Sequence, residues 1–237
     1  MQKRSQSTLE PRKSPVQARS VASVEAILKA TIQVLLKVGK ESLTTTRVAA
    51  RAGVSVGTLY QYFPNKSALL RAALQRHMDE IGSALQTVCR EQLGSSLENM
   101  GTTLVTSFLD AKMKDAKASV ALYSVSSDVD GARISREMSL KANRAIVAML
   151  ATAKDELTTD PELVSSMLQA TMAGVSRRLL ESPSPETDYD RLRDELVFLV
   201  CVYLRACSKS SAKRSHRLSR DPLAAHRRSI AAAHISE

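Results

Sequence analysis

The 237-residue chain is long enough for one large or two small domains with a buried core. Hydrophobic residues make up 43% and aromatic residues 3%, Trp is absent, and Gly and Pro are sparse, which favours an all-α protein over a sheet-rich one. The net charge of +10 is uneven, at +4 over residues 1–20, +4 over 21–66, −3 over 67–207 and +5 over 208–237, which excludes a uniformly basic, ribosomal-type protein.

Residues 1–19 combine five cations with Pro11, Pro15 and several Ser, and read as a flexible basic arm. Such an arm either follows DNA phosphates or is a solvated leader. From Ser20 to Val38 the apolar positions Val24, Ile27, Leu28, Leu35 and Leu36 recur at steps of three and four, predicting an amphipathic helix that ends at Gly39. Thr44 can cap a second short helix running to about Arg51, Ala52 to Val54 form a turn, and Ser55 can cap a third helix. Small and apolar Val48, Ala49, Ala52, Val54 and Leu59 lie on either side of the Gly53 break, so the two short helices can pack closely at a steep angle. The stretch Thr44–Phe63 is therefore a helix-turn-helix within a unit spanning 20–66.

Pro64 stops the third helix, and Asn65 can cap a long one with Leu69, Leu70, Ala73, Leu74, His77, Met78 and Ile81 on a broad face. Helical periodicity returns at 96–113, 116–126 and 131–157, and Asp160-Pro161 opens a further helix that Ser182-Pro183-Ser184-Pro185 breaks. The last helix is expected from about Asp188 to Cys207, followed by a mostly disordered basic tail over 208–237. About nine helices result. Two long apolar-faced helices, about 161–181 and 188–207, suit a four-helix bundle shared by two subunits, a homodimer, or a hairpin within one chain.

On the segment TTTRVAARAGVSVGTLYQYFPNK, from Thr44 to Lys66, the sequence resembles the TetR family of bacterial transcriptional regulators. The likeness covers about residues 20–75; beyond it only helix number and length correspond. It implies double-stranded DNA as partner, with a palindromic operator bound by a dimer. The family's DNA-contacting positions fall on Thr45, Thr46, Val56, Gly57, Thr58, Tyr60, Gln61, Tyr62 and Lys66, with Leu59 and Phe63 facing inward. The chemistry agrees: hydroxyls and Lys66 suit phosphates, Val56 a thymine methyl, and Gln61 a bidentate contact to adenine. With Val56 and Gly57 at the helix tip, direct base readout is expected to be sparse.

The stretch 67–207 holds no glycine-rich phosphate loop, HExxH, CxxC or serine-nucleophile elbow, so no catalytic residues, cofactor or metal site are expected. Cys89, Cys201 and Cys207 have no metal-ligand spacing, and no apolar run reaches a membrane span, so a cytoplasmic protein is expected. The resemblance implies a domain that binds a small effector and so releases DNA. Met100, Phe108, Met113, Tyr123, Met138, Met149 and Met172 fit either an adaptable apolar pocket for it or a plain core. An effector-released repressor, a DNA-binding protein controlled by a protein partner or by abundance, and an RNA- or nucleoid-coating protein remain as readings. A cavity of a few hundred Å³ favours the first over the second.

Overall fold

The computed structural model describes residues 18–209. Nine α-helices account for most of them: α1 (Ala18–Ser42), α2 (Thr45–Ala52), α3 (Val56–Tyr62), α4 (Lys66–Glu91), α5 (Leu97–Met113), α6 (Ala116–Ser124), α7 (Gly131–Leu150), α8 (Pro161–Leu180) and α9 (Pro185–Ala206). The described residues are all-α, with a single 3-10 turn at Ser126–Asp128 and one isolated bridge between Leu157 and Ser208.

Local signals explain the first four helices. The Thr44, Ser55 and Asn65 side chains each accept a hydrogen bond from the backbone N–H three residues on, which satisfies donors that a helix start leaves unpaired. Gly53 takes φ 70° and ψ 28°, a left-handed turn that costs glycine little, and its N–H closes the end of α2. Leu43, Val48, Leu59 and Phe63 are almost completely buried together with Ile27 and Leu69, so α1 to α3 share a core with the start of α4. Each such side chain contributes roughly 1.5–3 kcal/mol on leaving water.

The remaining helices alternate in direction. α4 packs mainly on α7 and α5, α5 on α9, and α7 and α9 on α8. α6 packs against α1, so α6, the α8–α9 turn and the reading unit share one pole, which we call the proximal pole. The opposite, distal pole is a knot of loops. Gly94 N–H donates to the Thr152 hydroxyl at 2.9 Å, Leu97 N–H to Asp155 at 2.9 Å, and Lys154 N–H to the Ser95 carbonyl at 3.0 Å.

Three boundaries differ from the sequence expectation. α7 ends at Leu150 rather than near 157, where the Thr152 hydroxyl and the Lys154 backbone N–H bond the α4–α5 loop instead of the chain continuing as helix. α9 starts at Pro185 rather than Asp188, since a proline in the first helical turn surrenders an N–H that has no helical partner anyway. α1 is broken at Gly39 (φ 72°) as expected but resumes for a last turn to Ser42. Most of the expected arm and tail lies outside the described residues. Of the former, Ala18 and Arg19 already belong to α1. Of the latter, Ser208 and Lys209 are fixed: Thr158 donates through backbone and hydroxyl to the Cys207 carbonyl, and Lys209 N–H donates to the Glu156 carbonyl at 3.0 Å.

Candidate nucleic-acid interface

The exposed edge of the reading unit is made by the first turn of α2 and the outer side of α3. Thr46, Gly57, Tyr60 and Gln61 are exposed, while Thr45, Val56, Thr58, Tyr62 and Lys66 are half-buried. The Thr45 and Tyr60 hydroxyls lie 3.0 Å apart, bringing α2 and α3 into one polar surface. Ser55 and Thr58 pair their hydroxyls at 2.8 Å, and Thr58 N–H donates to the Ser55 hydroxyl at 3.0 Å, so Thr58 shares in the cap. Val56 and Tyr62 pack against the core and present only part of themselves outward. Leu59 and Phe63 are inward-facing core, at 0% and 1% exposure.

Gly57 is helical with an ordinary negative φ, and a Cβ there would meet nothing nearer than the Ser55 hydroxyl at 3.7 Å. Neither backbone conformation nor internal packing demands glycine at that place. Lys66 is positioned differently from the rest: its ammonium donates to the Lys40 carbonyl at 2.6 Å, where it also complements the negative end of α1. That bond uses one of the three N–H donors of the ammonium. Arg47 and Arg51 add cations to the exposed side of α2; Arg47 donates to the Ser42 carbonyl at 2.8 Å and Arg51 to the Gln33 side chain at 2.7 Å. The charge balance of 21–66 signals such cations, but spacing alone does not separate these two from other surface arginines.

A cleft of about 850 Å³ opens between α4 and α5. Arg76, His77, Asp79, Glu80, Ser83, Ser107, Asp110, Lys114 and Asp115 lie along it with Ala84 and Ala111, so charged groups rim a cleft whose exposed surface is largely apolar. Met100, Phe108, Met149 and Met172 are instead buried core residues, at 5% exposure or less. Arg76 pairs with Glu25 and Glu80, bridging α4 to α1. Ser119 donates its proton to the Lys112 carbonyl at 3.0 Å, so the His77 Nε2 at 2.9 Å is the donor to Ser119 and His77 keeps Nδ1 as an acceptor. Burial, reinforced by the Lys112 charge, holds the imidazole below its ordinary pKa. Lys112, itself buried, donates to the Tyr123 hydroxyl at 2.8 Å and lies 4.6 Å from that ring's centroid.

α8 and α9 carry the most exposed apolar side chains. Phe198 is 67% exposed, with Leu163, Leu199, Met167 and Val202 near half, flanking an apolar groove of about 610 Å³ between the two helices. Among the described residues no three His, Cys, Asp or Glu converge as a metal site, and no helix is long and apolar enough to cross a membrane. The cysteines are free, and burial pushes the Cys89 thiol up to about 11.

Two family models cover most of the described chain. Residues 27–73 match the bacterial regulatory proteins of the tetR family, and residues 96–204 the C-terminal domain of tetracyclin repressor-like proteins. The chain belongs to the TetR family. It is thus a transcriptional regulator with a helix-turn-helix DNA-binding domain, from a family of regulators rather than enzymes.

The HTH-type transcriptional repressor KstR of Rhodococcus jostii is 49% identical over 57 residues, 24% of this chain and 27% of that protein. The tetracycline repressor protein class C of Escherichia coli is 48% identical over 48 residues, 20% and 22% of the two chains. The chain thus spans about a quarter of the length of these relatives. Among solved structures, the fatty acid degradation regulator FadR from Bacillus halodurans superposes with a TM-score of 0.60 at 22% identity, covering 81% of this chain and 95% of the other. SmeT, repressor of the Stenotrophomonas maltophilia multidrug efflux pump SmeDEF, gives 0.58 at 20% identity over 80% and 91%. At such identities these neighbours establish the TetR-type fold alone.

Proposed function

We propose that this TetR-family chain is a homodimeric repressor that seats the α3 helix of each copy in a palindromic operator, and that a small effector releases it. Residues 20–66 would serve as the reading unit and 67–207 as the dimerising and effector-binding part. The observation that carries the reading is the pairing of Thr45 with Tyr60 beside the bare Gly57 backbone. It makes one surface of hydroxyls with only the half-buried Val56 side chain beside Gly57 at the helix tip, in keeping with close approach to a major groove. Thr46, Thr58 and Tyr62 supply further hydroxyls, Val56 an apolar contact and Gln61 an amide for a base edge. Lys66 adds a cation held beside α1.

Dimerisation is supported by the apolar face of α8 and α9, where Phe198 stands largely in water in a lone chain. The expected small effector is supported by the cleft beside α4, where Arg76, Asp79, Glu80 and Asp115 are at hand for polar groups and Ala84 and Ala111 for an apolar part. α4 runs from that cleft to the reading unit, so a ligand that parts α4 from α5 would alter the separation of two reading heads. Sedimentation and a binding selection against genomic fragments test the proposal. A dimer and a recovered inverted repeat are expected; a monomer, or fragments without a shared repeat, would overturn it.

A further inference from the structure

α6 packs on α1 at the proximal pole, and the seam between them is not filled. A groove of about 440 Å³ runs there, with Leu180 and Pro185 from the α8–α9 turn completing its lining. Small-molecule sites typically enclose roughly 300–1,000 Å³, are mostly apolar and carry a few polar groups that orient the ligand. This groove has that make-up. Leu35 is buried at its side, while Leu36 of α1 and Val120 of α6 are 44% and 47% exposed, so both keep apolar surface in water.

The charge along the groove has one sign. Lys40 and Lys117 are its charged lining residues, and no Asp or Glu lines it. Lys40 is fixed from two directions, its ammonium pairing with Asp128 and its carbonyl accepting from Lys66, whereas Lys117 in the first turn of α6 is exposed. The other large openings differ. The α4–α5 cleft sets Asp79, Glu80, Asp110 and Asp115 against Arg76 and Lys114, and the α8–α9 groove holds Glu195 without a cation. An anion is therefore disfavoured in those two and favoured between α1 and α6.

We propose that the α1–α6 groove binds a single-chain amphiphile with an anionic head, its aliphatic chain along Leu35, Leu36, Val120 and Leu180 and its head on Lys117. The lysine stem lies along apolar surface while its ammonium reaches the solvent-side head group. A ligand in this place touches the reading unit through α1 and the C-terminal part through α6 at once. The inference goes beyond the effector reading and does not rest on it, since the α4–α5 cleft is lined by other residues.

The test titrates the full-length protein with decanoate and with 1-decanol by calorimetry. Decanoate should saturate at about one equivalent per chain and bind more tightly than decanol. Lys117→Gln should weaken decanoate roughly three- to fivefold, the worth of one exposed ion pair, and leave decanol unchanged. Val120→Asp sets a like charge against the ligand from an exposed position and should weaken decanoate roughly tenfold or more. Wild-type helicity in circular dichroism reports that both variants are folded. Uptake that does not saturate, unchanged decanoate affinity in either variant, or an equal loss of decanol in Lys117→Gln would each overturn the proposal. So would altered sedimentation of ligand-free Val120→Asp, which would make the groove an interface between copies of the chain.

Discussion

The Thr45 and Tyr60 hydroxyls meet at 3.0 Å, tying the first turn of α2 to the exposed flank of α3. The pair sits where backbone N–H groups at the start of α2 favour an anion, so a phosphate oxygen can accept from Tyr60 while Thr45 fixes the ring. Tyr60→Phe removes that donor and keeps the ring. Affinity should fall by about 0.5–1.5 kcal/mol, or roughly two- to tenfold, and equally on operator and on random duplex in anisotropy titrations. A loss confined to the operator would assign Tyr60 to base readout.

Gln61 is exposed on α3 with an amide able to donate to and accept from one adenine edge. Gln61→Ala should change the preferred base at one position in each half-site, at a cost of about 1–3 kcal/mol for the original base. Repeating the binding selection with the variant checks this. An unaltered site profile would leave recognition to backbone and shape.

Much of this surface is legible in the sequence because its determinants are local. Thr44, Ser55 and Asn65 cap the helices they precede, Gly53 takes the left-handed turn, Leu59 goes inward as its spacing requires, and Phe63 as the family resemblance implies. What stays hidden depends on distant partners. The hold of Lys66 on the Lys40 carbonyl joins residues far apart in sequence. The end of α7 is decided by bonds from Thr152 and Lys154 to the α4–α5 loop. Met100 and Met172 have the helical spacing of a core residue and of a pocket wall alike, and only the packing of α5 and α8 separates the two.

Phe198 projects from α9 with two thirds of its surface in water, beside Leu199 and Val202. Phe198→Asp should shift the protein to monomer in sedimentation at micromolar concentration, since a central aromatic anchor is worth about 2 kcal/mol or more. Helicity of the single chain should be retained because the side chain packs little within it. Operator affinity should fall with the loss of the second reading head. A variant that stays dimeric would move the interface elsewhere.

Gly101 lets α5 and α9 approach closely. A Cβ at that position would lie 2.8 Å from Leu204 Cδ1 and 3.0 Å from Val200 Cγ1, both on buried side chains. Gly101→Ala should destabilise the fold by about 1–3 kcal/mol through overpacking, read as a lowered urea midpoint. The gain in helix propensity, about 1 kcal/mol, offsets part of this. A raised midpoint would show that α9 can shift without cost. Because α9 also carries Phe198, the same variant should weaken dimerisation.

His77 is the one histidine among the described residues, and it joins α4 to α6 through Ser119. Burial first, and the Lys112 charge second, hold its pKa below the ordinary 6.5, while Glu80 and Asp115 pull less strongly the other way. The unfolded chain therefore takes up a proton at a higher pH than the folded one. Native stability is complete well above pH 6.5 and declines as pH falls through that value, levelling off once the folded imidazole is itself protonated. His77→Gln keeps a donor for Ser119 and removes the titration. Urea midpoints taken at about pH 7.5 and about pH 5 should differ less in the variant than in wild type, with His77 accounting for the difference between them. Equal pH dependence in both proteins would mean that carboxylates, and not this buried imidazole, set the acid limb.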